Sequence, residues 1–306
     1  MATNSIAMVS HVWTPDIQKI FERLQHEAPP DHDVRFLLNT NTLTPVLHLP
    51  AENVERILVE DLFRLPYPEK CHAGEWDIAG NLDLAFLEFR RRLPDYDFYW
   101  FVEYDVHYEG NWKTFFEHFR SSASGLICTT LDYISNVPHK LKTLGYPVLV
   151  VPDKMGWNEG NMIKGFFPVC RLSNTMLDAL DQEYRAGLGG HYEITMPTLA
   201  SLGGLTVEDV GGDSPFVRND NRNRFYFAYS ATYTHSPGNF VFRPNITKVL
   251  PRLNTLWHPV KPAGVSQWYP LRIRGNFLTT VMESAKRILI RAWVRWWFAT
   301  RWRPLR

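Results

Sequence analysis

Cysteine is scarce in this chain: Cys71, Cys128 and Cys170 are the only three among 306 residues, odd in number and far apart. That pattern argues against a disulfide framework and against a zinc cluster, and it points to a reducing compartment. Long apolar runs are missing too, and none approaches the roughly 20 residues that a spanning helix needs. The amino-terminal stretch from Ser5 to Val12 is too short, and lacks the basic lead, for a secretory leader; it reads as a buried strand. Internal repeats and low-complexity tracts are absent. So are the G-x-S-x-G, G-x-x-x-x-G-K-[ST] and G-x-G-x-x-G signatures, which removes the commonest serine-hydrolase, P-loop and dinucleotide-binding readings. A large excess of one charge is also lacking, since the net charge is +1.

What is present is ample apolar material, 45% of the residues, for one large core or two intimately joined subdomains. Residues 5–12 read as a strand and 15–26 as an amphipathic helix, with Pro15 suited to its first turn. A second strand is expected over 33–38, while Val54 to Leu62 fits either the helical or the strand period. Residues 81–92 make a helix with Leu82, Ala85, Phe86 and Phe89 along one stripe, closed by Pro94. A strand at 97–103, a helix near 112–119 and a strand at 125–130 follow. Such alternation predicts an α/β layer structure with a largely parallel sheet. Beyond residue 145 the pattern loosens: a strand over 149–151, helices over 174–185 and 193–202, and a polar, aromatic loop or small β insert over 212–240.

The most informative stretch is Asp97-Phe98-Tyr99-Trp100-Phe101-Val102-Glu103-Tyr104-Asp105, a β-favouring run that ends in two carboxylates one residue apart. Side chains at i and i+2 of a strand share a side, so Glu103 and Asp105 can converge at the strand's end. Two carboxylates about 4 Å apart repel by roughly 4 kcal/mol at an effective dielectric near 20, and a hard cation removes that penalty. In open α/β sheets this is also where ligands lie. The plainer alternative is an acidic loop paired with Arg90, Arg91 or Arg92.

Two later segments bear on the choice. Gly189-Gly190-His191-Tyr192-Glu193-Ile194 puts an acid at a helix start, where the macrodipole keeps it ionised. It is otherwise a plain capping acid. Trp257-His258-Pro259-Val260-Lys261 carries a lone histidine, a residue more often structural, and a lysine able to meet a phosphate as a point charge.

With these motifs in order, residues 5 to 262 resemble the GT-A class of nucleotide-sugar glycosyltransferases, of the bacterial envelope and exopolysaccharide type. The resemblance implies a GT-A, Rossmann-like fold: a mostly parallel central sheet flanked by helices over residues 1–262. Within it, 5–145 would be the nucleotide-sugar and metal half and 146–262 the acceptor half. Phe101-Val102-Glu103-Tyr104-Asp105 looks like the metal-binding Asp-x-Asp of that class, with Glu in the first place. Asp105, Glu103 and His258 would then hold Mn²⁺ or Mg²⁺. Glu193 would be the general base of an inverting reaction, with His191 as a fallback. Donor contacts would fall to Ser10 and His11 at the end of the first strand, Trp76 and Asn81 before or at a helix start, unless Trp76 is core packing, and Lys261 at the diphosphate. Trp157 would stack on an acceptor sugar, unless it is a buried anchor, and Arg171 would pair with an acidic acceptor or with Asp178. The implied partners are a nucleotide-sugar donor, a UDP-sugar foremost, and a glycan or lipid-linked acceptor. Metal-dependent nucleotidyl or phosphoryl transfer would use the same acids. A non-catalytic, membrane-surface glycan-binding module is the remaining alternative.

Residues 263–306 form a different physical object. From Leu271 onward nine Lys or Arg stand against Glu283 alone, a charge of +8, so the first 270 residues carry −7. On a helical wheel Val281, Met282, Ala285, Ile288, Leu289, Ala292, Trp293 and Trp296 share one broad face, with Lys286, Arg287, Arg291 and Arg295 mainly opposite. Spanning would bury Arg291 and Arg295 at roughly 2.5–3.5 kcal/mol each. Lying in the interface gains about 1 kcal/mol per basic residue near anionic lipid. The expectation is an amphipathic, membrane-associating helix on the cytoplasmic face, the alternative being a helix docked on the catalytic domain. Because the basic residues are confined to this tail and no reading motif accompanies them, nucleic acid is not an expected partner.

Overall fold

The computed structural model describes residues 4–40, 52–70, 81–136, 151–152, 155–226 and 253–262. Its centre is a seven-stranded sheet of β1 (Asn4–Ser10), β2 (His32–Thr40), β3 (Val54–Leu58), β4 (Phe98–Glu103), β6 (Leu126–Tyr133), β7 (Ile163–Ser173) and β8 (Val207–Asp209), in the order β3-β2-β1-β4-β7-β6-β8. β7 alone runs against the other six. A two-stranded antiparallel ribbon of β5 (His107–Glu109) and β9 (Thr255–Trp257) stands apart from it. The helices are α1 (Pro15–Glu27), α2 (Val59–Leu62), α3 (Leu82–Arg92), α4 (Trp112–His118), α5 (Asn174–Arg185) and α6 (Tyr192–Leu202).

Strand alternation divides the core in two. Along β4, Tyr99 and Phe101 face α3, α5 and α6, where Phe86 stacks on Phe101 with ring centroids 3.9 Å apart. Trp100 and Val102 face the other way, into a layer built with Ile17, Phe21 and Leu24 of α1 and Phe115, Phe116 and Phe119 around α4. The mostly parallel α/β sheet with flanking helices is therefore as expected, and both proposed halves contribute strands to it.

Three differences from the sequence reading have local causes. The ambiguous stretch 54–62 is both things, strand β3 followed by the single turn of α2. Strand β7 was not among the expected elements, and it carries Pro168, a residue rarely found in a central strand. The β6 ladder accommodates the proline with a register shift, Thr129 pairing Phe166 while Ile127 pairs Arg171. Of the strand expected at 149–151 only Val151 is described, and it lies in no strand. The first part of the 212–240 segment is turns and a short 3₁₀ helix at Asn219–Asn221; the remainder lies outside the described residues, as does the whole tail. Among the described residues no helix is long and apolar enough to cross a membrane.

With β1, β4, β6 and β8 all parallel, their carboxyl ends share one edge of the sheet. That edge carries the acid pair.

Candidate active site

The β1–β4 ladder runs to Val9 opposite Glu103, and one further bond, Tyr104 N–H to the Val9 carbonyl at 3.0 Å, holds the chain just past the strand. It then turns, with Val106 N–H donating to the Glu103 carbonyl at 3.0 Å. Asp105 is thereby pointed inward, 2% exposed, while Glu103 stays 27% exposed by side chain. The β5–β9 ribbon pairs His107 with Trp257, and Val260 N–H donates to the Asp105 carbonyl at 2.8 Å. These contacts deliver His258 and Lys261 to an acid pair remote in sequence.

The His258 Nε2 lies 3.5 Å from Glu103 Oε2 and 3.6 Å from Asp105 Oδ1. One ligand atom from each of the three residues lies within 4.8 Å of the others. Ligands around a small divalent cation stand about 3–4 Å apart, so these spacings suit an ion among them. Asp105 Oδ1 is buried and has no hydrogen-bond partner. An orphaned buried carboxylate oxygen facing an imidazole and a second carboxylate is a donor set of the kind Mn²⁺ or Mg²⁺ takes. The triad is a candidate metal-binding group.

The other Asp105 oxygen, Oδ2, accepts from Lys261 Nζ, which also donates to Tyr104 OH at 2.8 Å and lies 4.6 Å from the centre of that ring. Burial pushes the Asp105 carboxyl up, but His258 and Lys261 outweigh it and hold it below its usual range. Lys261 is raised in turn, because Asp105 and Tyr104 outweigh its own desolvation. The imidazole of His11 packs edge-on to Tyr104 at 5.5 Å. Desolvation and Lys261 lower its pKa against the opposing pull of Asp105 and Glu103. Five residues singled out in the sequence thus share one locus: Glu103, Asp105, His258, Lys261 and His11.

Helix α6 supplies a second locus. His191 is its N-cap, with Nδ1 accepting from Glu193 N–H at 3.3 Å, and Glu193 is the acid in its first turn. Burial drives the His191 imidazole down to about 4, so it is neutral at pH 7. An engaged Nδ1 and so low a basicity weaken it as a fallback base. The buried phenol of Tyr192 is pushed well above its ordinary value by burial first, then by the charges of Glu193 and Glu103. One phenol therefore feels both loci. Lys164, at the start of β7 on the same edge, is lowered by burial while Glu193, Asp132 and Asp209 pull it up.

The remaining sequence-selected residues divide. Ser10 is buried and closes the turn after β1, donating to the Val12 carbonyl at 2.7 Å. Asn81 is buried at the N-cap of α3, where its side chain makes no capping bond. Trp157 is half-buried against the α3/α5/α6 core face. Trp76 lies outside the described residues.

Arg171 is a correction. It is 2% exposed on β7 and donates to the carbonyls of Phe119, Ser122 and Ser124 at 3.0, 2.6 and 3.2 Å. Its guanidinium also stacks 4.1 Å from the Phe98 ring, and Asp178 pairs with Arg90 instead. A side chain so enclosed has no face for an acceptor; it ties the turn after α4 to the sheet. Arg171→Met should therefore destabilise the fold by roughly 2–4 kcal/mol, through orphaned buried carbonyls, and leave the acceptor KM unchanged. Chemical denaturation and steady-state kinetics check the two halves, and a raised KM at undiminished stability would return Arg171 to the acceptor.

Sequence reasoning missed Lys70 and Asp83, a fully buried ion pair at 2.8 Å beneath α6. The available signal was Asp83 itself, an acid in the first turn of an otherwise apolar helix face.

No protein-family profile and no curated protein matches this chain. Among solved structures it is similar to an active-site mutant of the galactosyltransferase LgtC, at 14% identity and a TM-score of 0.42, with 92% of this chain and 95% of that one covered. It is also similar to the mannosyltransferase Ktr4p of S. cerevisiae, at 13% identity, a TM-score of 0.35 and 68% of each chain. A third is the 4-diphosphocytidyl-2C-methyl-D-erythritol synthase of Anaerococcus prevotii, at 10% identity and 0.38, covering 71% of this chain and 90% of that one. The likeness is one of fold.

Proposed function

We propose that this chain is a metal-dependent glycosyltransferase that moves a sugar from a nucleotide-diphosphate donor, foremost a UDP-sugar, to a glycan or lipid-linked acceptor with inversion at the anomeric carbon. The observation that carries the reading is the Glu103, Asp105 and His258 cluster at the carboxyl edge of the sheet, with its orphaned Asp105 oxygen. These three residues would hold Mn²⁺ or Mg²⁺, which when bound supplies Lewis-acid stabilisation to a leaving diphosphate. Lys261 adds a positive charge at the same place, and His11 flanks it. Glu193 takes the proton of the acceptor hydroxyl as that oxygen bonds to the anomeric carbon and the bond from that carbon to the phosphate oxygen breaks. Glu193 stands in the first turn of α6, where the helix macrodipole favours a negative charge.

Product identity tests this directly. Incubation with UDP-sugars, Mn²⁺ and a glycan acceptor should release nucleoside diphosphate and lengthen the acceptor by one sugar. Release of pyrophosphate or inorganic phosphate would assign nucleotidyl or phosphoryl transfer instead. Calorimetry that finds no metal-dependent nucleotide binding would leave a glycan-binding module.

The basic tail supports a further part of the reading, attachment to the anionic cytoplasmic face of a membrane. In the full-length chain, Arg287, Arg291 and Arg295 changed together to Glu should weaken binding to phosphatidylserine vesicles by at least roughly 10²-fold. Undiminished vesicle pelleting would reject that role.

A further inference from the structure

Beneath α6 lies a polar cluster that the proposed chemistry does not use. Lys70 and Asp83 are both fully buried, with Nζ 2.8 Å from Asp83 Oδ2. Lys70 Nζ also donates to the Gly190 carbonyl at 2.9 Å and lies 4.9 Å from the centre of the Tyr184 ring. The Tyr184 hydroxyl donates to Asp83 and lies 3.0 Å from Thr195 Oγ1, one turn into α6. Where Lys70 meets Gly190 the two backbones nearly touch: a Cβ on Gly189 would stand 2.6 Å from the Glu69 carbonyl oxygen. Gly190 itself has φ +111°, a conformation glycine adopts without strain. The cluster therefore grips α6 on both sides of Glu193, at Gly190 and at Thr195.

Stability alone does not account for such a pair. A buried ion pair is often no more stable than apolar side chains of similar volume, whereas losing one partner is costly. Apolar burial already seats α6, through Ile194, Met196, Leu199 and Ala200. What the charged cluster adds is direction, since hydrogen bonds to Gly190 and Thr195 set the rotation and register of the helix start where hydrophobic contacts do not.

We propose that Lys70 and Asp83 are positioning residues that, through Gly190, Tyr184 and Thr195, hold the first turn of α6 so that the Glu193 carboxylate faces the acceptor beside the Glu103, Asp105 and His258 cluster. The part concerning turnover rests on the glycosyltransferase reading; the part concerning the helix start does not.

The test compares full-length wild type, Lys70→Met, Lys70→Met/Asp83→Asn and Gly189→Ala. Lys70→Met leaves a buried carboxylate alone and should lower Tm by roughly 5–10 °C. The double variant removes both charges and should recover most of that loss. In both, amide exchange at residues 192–195 should quicken by about tenfold or more relative to the sheet. Turnover should stay down by about 10²-fold with the donor KM unchanged. Gly189→Ala, which forces the backbones apart with both charges in place, should do the same to exchange and kcat. A double variant that regains kcat together with Tm would overturn the proposal, as would unchanged exchange at 192–195 in the double variant. If the wild type proves to have no transferase activity, the exchange result decides alone. Faster exchange in a thermally recovered double variant upholds the positioning role, and unaltered exchange rejects it.

Discussion

Asp105→Asn is expected to lower turnover by about 10³-fold and to abolish the Mn²⁺-dependent rise in Tm. Asparagine keeps the shape of the side chain and removes its charge. The residue is buried, with His258 Nε2 3.6 Å from its Oδ1, and that oxygen has no hydrogen-bond partner to take over its place. Glu103 and His258 alone would form an open two-ligand set. The ion-free protein should also lose stability by about 3 kcal/mol, because Lys261, 19% exposed by side chain, is left beside a neutral amide. The pH sign follows from the same pair. The Asp105 pKa is lowered from 3.8 on folding, so its stabilisation is complete above that value and disappears as pH falls through the lower folded one. Lys261 is raised from 10.5, so its share holds below that value and is lost only in stronger alkali. Calorimetric Mn²⁺ titration beside kinetics checks the prediction. Wild-type metal affinity and turnover in Asp105→Asn would remove the metal centre from the proposal.

Glu193→Gln should cost 10²–10⁴-fold, roughly, in kcat while leaving Mn²⁺ and nucleotide binding intact. The amide preserves the length of the side chain at the helix start but cannot accept the acceptor's proton. On the proposed reading the donor is held at the other locus, at the tip of β4, so its affinity should not move. His191→Ala is a useful companion: with its basicity lowered to about 4 and Nδ1 occupied by Glu193 N–H, the imidazole is a poor substitute base. Its removal should therefore act through the lost N-cap, by about 1 kcal/mol of stability, more than through proton transfer. Full turnover in Glu193→Gln would shift the base elsewhere or mark a retaining reaction, and stereochemical analysis of the product separates those two.

The residues of the two loci differ in how far they were legible. The acid pair was plain, because it needs only a β-period run and the alternation that puts residues 103 and 105 on one side. Glu193 was legible for a similar reason: a Gly-Gly break followed by a helical run marks a helix start, and α6 begins within one residue of the expected place. His258 and Lys261 were found through resemblance to a family pattern. Their physical cause, the β5–β9 ribbon, was invisible because each strand is only three residues long and shows no period. Arg171 was misread because a lone arginine in an apolar run looks available; only its three carbonyl partners show that it is consumed.

By itself, the sequence determined the alternating strands and helices, the apolar faces of β4 and α3, and the placing of two carboxylates at a strand end. All of these are set by neighbours within a few positions, through the 2.0 and 3.6 residue periods. Tertiary structure decided the antiparallel course of β7 past Pro168, the meeting of Lys261 with Asp105 across 156 positions, and the tie between Tyr184 and Asp83 across 101. Such contacts depend on which surfaces the sheet brings together, and on the need of each buried charge and carbonyl for a partner, so no local pattern encodes them.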